Sequence, residues 1–147
     1  MEIFEKTEII KILKAIGMPG SRVLNWTRDW EDKRTLRIKG SIKVGARALY
    51  SENDVYKIGL AFELRKAGMA AKPIGNILNA IKKDLKKIRW LTISRKNEKT
   101  AFRVMEGRAP HTKNMVWLTI RIKALVDLLK KGITLQVKER EKLSTQD

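Results

Sequence analysis

The stretch "RALYSENDVYKIGLAFELRKAG", residues 47–68, decides the fold, because a run of positive charge stops within it and a helix begins. Ser51 and Asp54 stand three positions apart, the spacing at which the two side chains bond each other's amides at a helix start. Apolar residues then follow at helical spacing on two sides of the helix: Val55, Ile58 and Phe62 on one, Tyr56, Leu60 and Leu64 on the other. Such a helix packs on both sides. The stretch predicts a central helix that ends at Gly68.

Two short helices are predicted on the N-terminal side of this stretch. Thr7 is a capping residue for "EIIKILKAIG", which has apolar residues at helical spacing and stops at Gly17. After "GMPGS", the segment "RVLNWTRDW" predicts a second helix that packs on the first. Two helices joined in this way form a helix-turn-helix candidate, and simple packing without DNA is the alternative. The second helix would present Arg22, Asn25 and Arg28 to base edges or phosphates.

A basic hairpin is predicted between these helices and the central one. Residues 33–47, "KRTLRIKGSIKVGAR", hold six basic residues and no acidic one, and apolar and basic residues alternate on both sides of "KGS". A helix-turn-helix followed by a hairpin is the winged arrangement, and a solvated edge hairpin is the alternative. The wing residues predicted to contact DNA are Lys33, Arg34, Arg37, Lys39, Lys43 and Arg47, with Tyr50 closing the wing against the central helix.

The order of these segments over residues 5–80 resembles the DNA-binding domain of MerR-type transcriptional regulators. The pairs that carry the resemblance are Tyr50-Ser51, Asp54-Val55, Leu64-Arg65 and Gly68-Met69. The resemblance implies a winged helix-turn-helix that reads double-stranded DNA, and a dimer on palindromic half-sites. The recognition helix differs, since residues 24–27 read Leu-Asn-Trp-Thr where the family usually has Leu-Arg-Tyr-Tyr.

The second half predicts one more amphipathic helix and then a small sheet. Residues 74–88 place isoleucine and leucine on one face and lysine on the other, which fits either core packing or the seam of a homodimer. Beyond residue 88 the pattern predicts three strands, in "RWLTISR", "TAFRVME" and "MVWLTIRI", and a helix that ends at Gly132. The predicted fold is α+β: a winged helix-turn-helix module over residues 1–88, a β-β-β-α region over 89–137, and a flexible charged tail over 138–147.

Composition indicates a polyanionic partner. The 147 residues carry a net charge of +17, divided as +5 over residues 1–50, +1 over 51–80 and +11 over 81–147. A charge of this size steers association with nucleic acid. The absence of cysteine excludes a thiolate metal site, and the only histidine, His111, completes no catalytic set. We expect no enzyme activity, no cofactor and no metal. The absence of a long apolar segment or an apolar signal core predicts a cytoplasmic, nucleoid-associated protein with no membrane segment.

These observations favour a sequence-specific double-stranded DNA-binding protein, a MerR-like transcriptional regulator. One alternative is an architectural, excisionase-like recombination accessory protein that bends DNA. Another is an RNA-binding module on the basic C-terminal sheet, where Trp90 and Trp117 would either stack on bases or fill the core. A homodimer would form through the helix over residues 74–88 or through that sheet. The sequence gives neither the target site, the effector, nor the sign of regulation.

Overall fold

A computed structural model describes residues 2–20, 40–45, 47–107 and 115–145. This part of the chain contains four α-helices and two three-stranded antiparallel sheets, with strand orders β1-β3-β2 and β5-β4-β6. The predicted α+β class is therefore confirmed. The predicted second helix and the first strand of the predicted wing lie outside the described residues. The elements are β1 (Ile3–Phe4), α1 (Lys6–Ala15), β2 (Ile42–Val44), β3 (Arg47–Ser51), α2 (Glu52–Lys66), α3 (Ala71–Ala80), a 3₁₀ turn (Leu85–Lys87), β4 (Leu91–Arg95), β5 (Arg103–Glu106), β6 (Met115–Ile120) and α4 (Ile122–Thr145).

Helix α2 is the central helix that the capping pattern predicts. Ser51 Oγ accepts a hydrogen bond from the Asp54 amide at 3.1 Å, and Asp54 Oδ2 accepts one from the Ser51 amide at 2.9 Å. These bonds satisfy amides that have no partner within the helix. Buried residues occur on both sides of α2, and it contacts α3, α4, β3 and the 3₁₀ turn. The prediction of a helix packed on two sides is confirmed, and so is its end at Gly68, which follows the C-terminal capping residue Ala67.

Helix α1 starts earlier than predicted. The Glu5 amide donates to Glu8 Oε1 at 3.0 Å, so α1 begins at Lys6 and Thr7 lies inside the first turn. The predicted end is correct, because the Met18 amide bonds the Leu13 carbonyl at 2.9 Å around Gly17. The buried face of α1, with Ile9, Ile12 and Leu13, packs on α4.

The described hairpin of β2 and β3 turns at Gly45, whereas the turn predicted at "KGS" stays a prediction because its first strand lies outside the described residues. Strands β2 and β3 pair with Val44 opposite Arg47, and Gly45 between them has a φ of +61°, which suits a tight hairpin loop. Arg47 therefore begins the returning strand rather than ending it. Gly40 of "KGS" is buried against β3, and a Cβ atom there would collide with the Leu49 carbonyl oxygen. Gly40 is therefore needed because the backbone of β3 passes close to it, whereas the turn between β2 and β3 falls at Gly45.

Helix α3 is shorter than the predicted helix over residues 74–88. It ends at Ala80, and the chain continues through an extended Ile81 into the 3₁₀ turn. The Leu85 amide donates to Asn53 Oδ1 on α2 at 2.9 Å, so a side chain replaces the carbonyl that a continued helix would have supplied. The apolar residues of this segment are all buried, which makes them core and removes the surface for a dimer seam: Ile74, Ile77, Leu78, Ile81, Leu85 and Ile88.

The three predicted C-terminal strands are confirmed as β4, β5 and β6, with β4 in the middle. Helix α4 differs from prediction, because it passes through Gly132 and ends at Thr145. Gly132 lies where α4 crosses α1, and a Cβ atom would stand 2.7 Å from the Ile12 carbonyl oxygen. Gly132 therefore allows α4 to pack closely on α1, whereas the sequence pattern predicted that the helix would end there. Residues 138–145, predicted as a charged tail, are helical, and Arg140 on this part bonds Glu8 and Glu2.

The hydrophobic core extends across the boundary predicted at residue 88. Buried residues of α1, α2, α3, β4 and α4 belong to one cluster. Helix α4 contacts both α1 and α2, so the last described element of the chain packs against the first helix. The predicted division into 1–88 and 89–137 as separate units stays a prediction.

Candidate nucleic-acid interface

The hairpin of β2 and β3 is held to helix α2 by the carboxylate of Asp54. Asp54 Oδ2 accepts hydrogen bonds from the Ser41 amide at 2.9 Å, the Ser41 hydroxyl at 2.7 Å and the Ser51 amide at 2.9 Å. Asp54 is only 6% exposed. One side chain therefore ties the start of the hairpin, its end and the first turn of α2 together. The sequence identified Asp54 only as a capping residue, and the contact to Ser41 has no sequence signal.

Lys43 and Arg47 project from opposite faces of this hairpin. Lys43 pairs with Ala48, and Val44 pairs with Arg47, and neighbouring residues of a strand alternate between faces. Lys43 is exposed, and no acidic residue in the described part of the chain pairs with it. The Arg47 guanidinium bonds Glu5 Oε1 at 2.7 Å, with 70% of the arginine side chain exposed. The two cations are thus placed to meet separate anionic groups.

The remaining predicted contacts fall into two sets. Tyr50 is half-buried, packs against the core and stands opposite Phe4 of β1, which fits its predicted place between hairpin and helix. The other predicted DNA-binding residues lie outside the described residues, and their roles stay predictions: Arg22, Asn25, Arg28, Lys33, Arg34, Arg37 and Lys39.

A second basic surface lies at one end of the C-terminal sheet, and we call it the basic groove. It is a groove of about 520 Å³ lined by Arg89, Trp90, Arg121 and Lys123. The three cations are exposed and Trp90 is half-buried. Lys123 pairs with Asp127 at 3.0 Å, whereas within the described ranges no acidic residue pairs with Arg89 or Arg121. The groove is therefore a local concentration of positive charge beside an aromatic wall.

Pairing of β4 with β6 brings these four residues together. Leu91 pairs with Ile120, so the same antiparallel register continued by one residue sets Trp90 opposite Arg121. The Lys123 amide then donates to the Arg89 carbonyl at 3.2 Å, and the Gly107 amide to the Trp90 carbonyl at 2.7 Å. Sequence reasoning did not predict this site. A usable signal exists, because residues 85–97 and 107–126, the two segments that supply its four lining residues, contain no acidic residue.

An acidic pocket lies between the end of the hairpin and the 3₁₀ turn that leads to the basic groove. It has a volume of about 380 Å³, and its lining includes the carboxylates of Glu2, Glu52 and Asp84. Burial and the neighbouring Glu52 raise the pKa of Tyr56, whose hydroxyl donates to Glu52 Oε2 at 3.3 Å. Tyr56 is therefore a neutral donor at physiological pH. The lining also includes Lys86, and Glu2 is paired with Arg140, so Glu52 and Asp84 are the carboxylates of this pocket that would repel a phosphate.

A third cluster of charge joins α4 to the N-terminus. Arg140 bonds Glu8 Oε2 at 2.6 Å and Glu2 Oε2 at 3.1 Å. Partial burial alone would raise the pKa of Glu8, but hydrogen bonds from the Glu5 amide, Arg140 and Gln136 together bring that pKa below its ordinary value. Both carboxylates of the cluster are paired with Arg140, which ties the end of α4 to the N-terminal residues.

Trp117 packs against the core of the C-terminal sheet. It packs edge-on against Phe102, with ring centroids 5.2 Å apart, and is partly buried against the core. The Arg95 guanidinium lies over the Phe102 ring, 4.7 Å from its centroid. The other tryptophan that the sequence offered as a possible base-stacking residue, Trp90, lines the basic groove.

Comparison of the chain with protein-family models and with curated proteins finds no match. Among the helices that the structure describes, none is both long enough and apolar enough to cross a membrane. Within the same described ranges, no cluster of three histidine, aspartate or glutamate side chains is placed to hold a metal ion.

Proposed function

We propose that the protein is a sequence-specific double-stranded DNA-binding protein, a MerR-like transcriptional regulator whose wing is the hairpin of β2 and β3. The observation that carries the proposal is the attachment of this basic hairpin to a buried helix through Asp54. A wing must hold its cations at fixed positions to select a register on the duplex. A hairpin tied at both ends by one buried carboxylate meets that requirement.

The placement of charge supports contact with a phosphate backbone. Lys43 and Arg47 extend from opposite faces of the hairpin, so a hairpin lying along a groove would direct one cation towards each bordering strand. The net charge of +17 supplies the long-range attraction. In this proposal Arg22, Asn25 and Arg28 of the predicted second helix read the major groove, because their side chains can bond base edges and phosphates. Lys33, Arg34, Arg37 and Lys39 extend the wing's contact.

The proposal includes a cytoplasmic, nucleoid-associated location and a homodimer. The apolar face of residues 74–88 is buried, so the C-terminal sheet is the predicted dimer surface that keeps exposed apolar area, such as Val116 at 40%. Sedimentation of the free protein and of its duplex complex tests the dimer. Half-site spacing in the selected DNA gives an independent measure of its geometry.

The test is selection of binding sites from a random duplex library, followed by titration of variants against the selected site and an unrelated duplex. Lys43→Ala is expected to weaken both complexes equally and to lower the salt slope by about 0.9, the value for one lost phosphate contact. Asn25→Ala is expected to change which sequence is selected.

Lys66→Ala is the matched control for Lys43→Ala. Lys66 is exposed at the far end of the 15-residue helix α2, about 22 Å from the hairpin. Equal losses in Lys43→Ala and Lys66→Ala would show that the hairpin makes no specific contact. An unchanged selected site in Asn25→Ala would remove the major-groove assignment.

A further inference from the structure

We propose that the basic groove binds single-stranded nucleic acid, with Arg89 and Arg121 on its phosphates and Trp90 against a base. This site is separate from the proposed wing and goes beyond the proposed duplex contact. It is carried by the convergence of three cations and an indole in one groove of about 520 Å³.

The charge of the groove calls for an anionic ligand. Arg89 and Arg121 are exposed, and they come from neighbouring strand ends in a region whose two segments lack acidic residues. Like charges that line one groove repel each other, and an anion bound in the groove reduces that repulsion. A guanidinium binds phosphate through two parallel hydrogen bonds, so arginine suits a phosphodiester better than lysine does. Lys123, already paired with Asp127, adds charge at the rim.

The shape of the groove favours an unpaired strand over a duplex. Trp90 forms part of its wall, and an aromatic wall can stack on a base only if that base is not already stacked inside a helix. The volume lies within the range of sites that enclose small ligands, whereas a duplex rests on a broad surface. The nearby carboxylates of Glu52 and Asp84 also oppose a duplex that would run from the wing to the groove.

The experiment measures binding of the full chain to a fluorescein-labelled oligothymidylate of about 15 nucleotides, near the upper site size of single-strand-binding folds. Arg89→Ala with Arg121→Ala is expected to weaken binding about tenfold and to lower the salt slope by about 1.4, twice the single-strand value per phosphate. Trp90→Ala is expected to weaken binding at least about fivefold, and Trp90→Phe to retain most of it, because a phenyl ring still stacks.

The matched control removes two positive charges outside the groove, by Lys130→Ala and Lys131→Ala on helix α4. Both lysines are exposed, and Lys130 lies eight residues after the helix start, about 12 Å along its axis. This pair is expected to weaken oligothymidylate binding less than about threefold. Both arginines are exposed, so the arginine variant is expected to fold, which circular dichroism verifies.

Three results would overturn the inference. The oligothymidylate does not bind, or both double variants weaken it equally, or phosphatidylserine vesicles bind in an arginine-dependent way while the oligothymidylate does not. Failure of the proposed wing is distinguished by the duplex titrations, because Lys43→Ala is expected to act on the duplex alone. A chain that binds duplex but not oligothymidylate keeps the wing and loses the groove, and the opposite result keeps the groove.

Discussion

The two sheets hold their positive charge in different ways. In the hairpin of β2 and β3, Arg47 is paired with Glu5, and the backbone is tied to α2 by the Asp54 carboxylate. In the basic groove, Arg89 and Arg121 have no acidic partner among the described residues, and only Lys123 is paired. A rigid hairpin with a partly neutralised charge suits a surface that fixes register. A groove of concentrated charge suits a ligand that supplies the missing anion.

The largest effect is expected from removing the anchor of the hairpin. Asp54→Ala leaves the amides of Ser41 and Ser51 without their acceptor, in a position that is nearly closed to water. It also removes one half of the cap of α2. Loss of buried hydrogen bonds and a cap predicts a decrease of about 3 kcal/mol in the free energy of unfolding, measured with urea.

Glu98→Ala is the control for Asp54→Ala, because Glu98 is exposed in the loop between β4 and β5. It is expected to change the free energy of unfolding by less than about 0.5 kcal/mol. If Asp54→Ala were equally mild, the hairpin would not depend on this carboxylate. The difference drawn between an anchored hairpin and an open groove would then disappear.

The second prediction concerns the contact of α4 with α1. Helix α4 follows Arg121 directly and carries Lys123 in its first turn. In Gly132→Ala, the new methyl group would lie 2.7 Å from the Ile12 carbonyl oxygen, and α1 and α4 must separate to admit it. We expect a loss of about 2 kcal/mol from this overpacking, although alanine is the better helix former by about 1 kcal/mol. Ala124→Gly, at an exposed position of the same helix, measures the helix-forming contribution alone.

A stabilised Gly132→Ala chain would contradict the close contact of α1 with α4. Gly132 would then be an ordinary helical glycine, and Gly132→Ala would raise the free energy of unfolding by as much as Ala124→Gly lowers it. Chemical denaturation of both variants decides between the two results.

The elements that were predicted correctly are those whose deciding residues lie close together in the sequence. The cap of Ser51 and Asp54 and the alternation in β4 to β6 are local, so α2 and the sheet were predicted correctly. Helix ends were missed wherever a distant residue decides them. Asn53 captures the Leu85 amide, and Ile12 leaves room only for Gly132. Neither partner is visible from the segment itself.

The basic groove shows the same limit for function. Its arginines are 32 positions apart, and each looks like a solvated surface charge in its own segment. Only the pairing of Leu91 with Ile120 brings them together. The basic residues of 33–47 could be proposed as DNA contacts from sequence because they lie in one acid-free run. The separation of Lys43 and Arg47 onto opposite faces depends on a turn at Gly45 that the pattern did not indicate.

The third prediction concerns the ionised cluster at the other end of α4. Since the pKa of Glu8 is lower in the folded chain than its ordinary 4.5, its stabilising contribution is complete above the unfolded pKa and is lost as pH falls through the folded pKa. Glu8→Gln is expected to cost about 1 kcal/mol at pH 7. The difference from the parent chain should shrink as acid protonates Glu8.

Arg140→Met supplies the control for Glu8→Gln. If the two side chains act as a pair, Glu8→Gln costs less in the Arg140→Met chain than in the parent, as a double-mutant cycle measures. Additive losses, or a difference that stays constant down to acid pH, would show that Glu8 does not stabilise the fold through its charge.

The smallest effect concerns Glu5, the residue that neutralises Arg47. The pair is exposed, 70% at the arginine and 51% at the glutamate, so Glu5→Gln is expected to change the free energy of unfolding by less than about 0.5 kcal/mol. The effect of Glu5→Gln on DNA binding is more informative than its effect on stability.

If Arg47 contacts phosphate, removal of the competing Glu5 carboxylate releases the guanidinium and strengthens duplex binding about twofold to threefold at low salt. Glu98→Gln makes the same charge change at a loop of the C-terminal sheet, so it corrects for the gain that any added net charge would give. Equal gains in the two variants would mean that Arg47 serves only to hold β3 against α1, and Lys43 would then be the one cation of the described hairpin left to contact DNA.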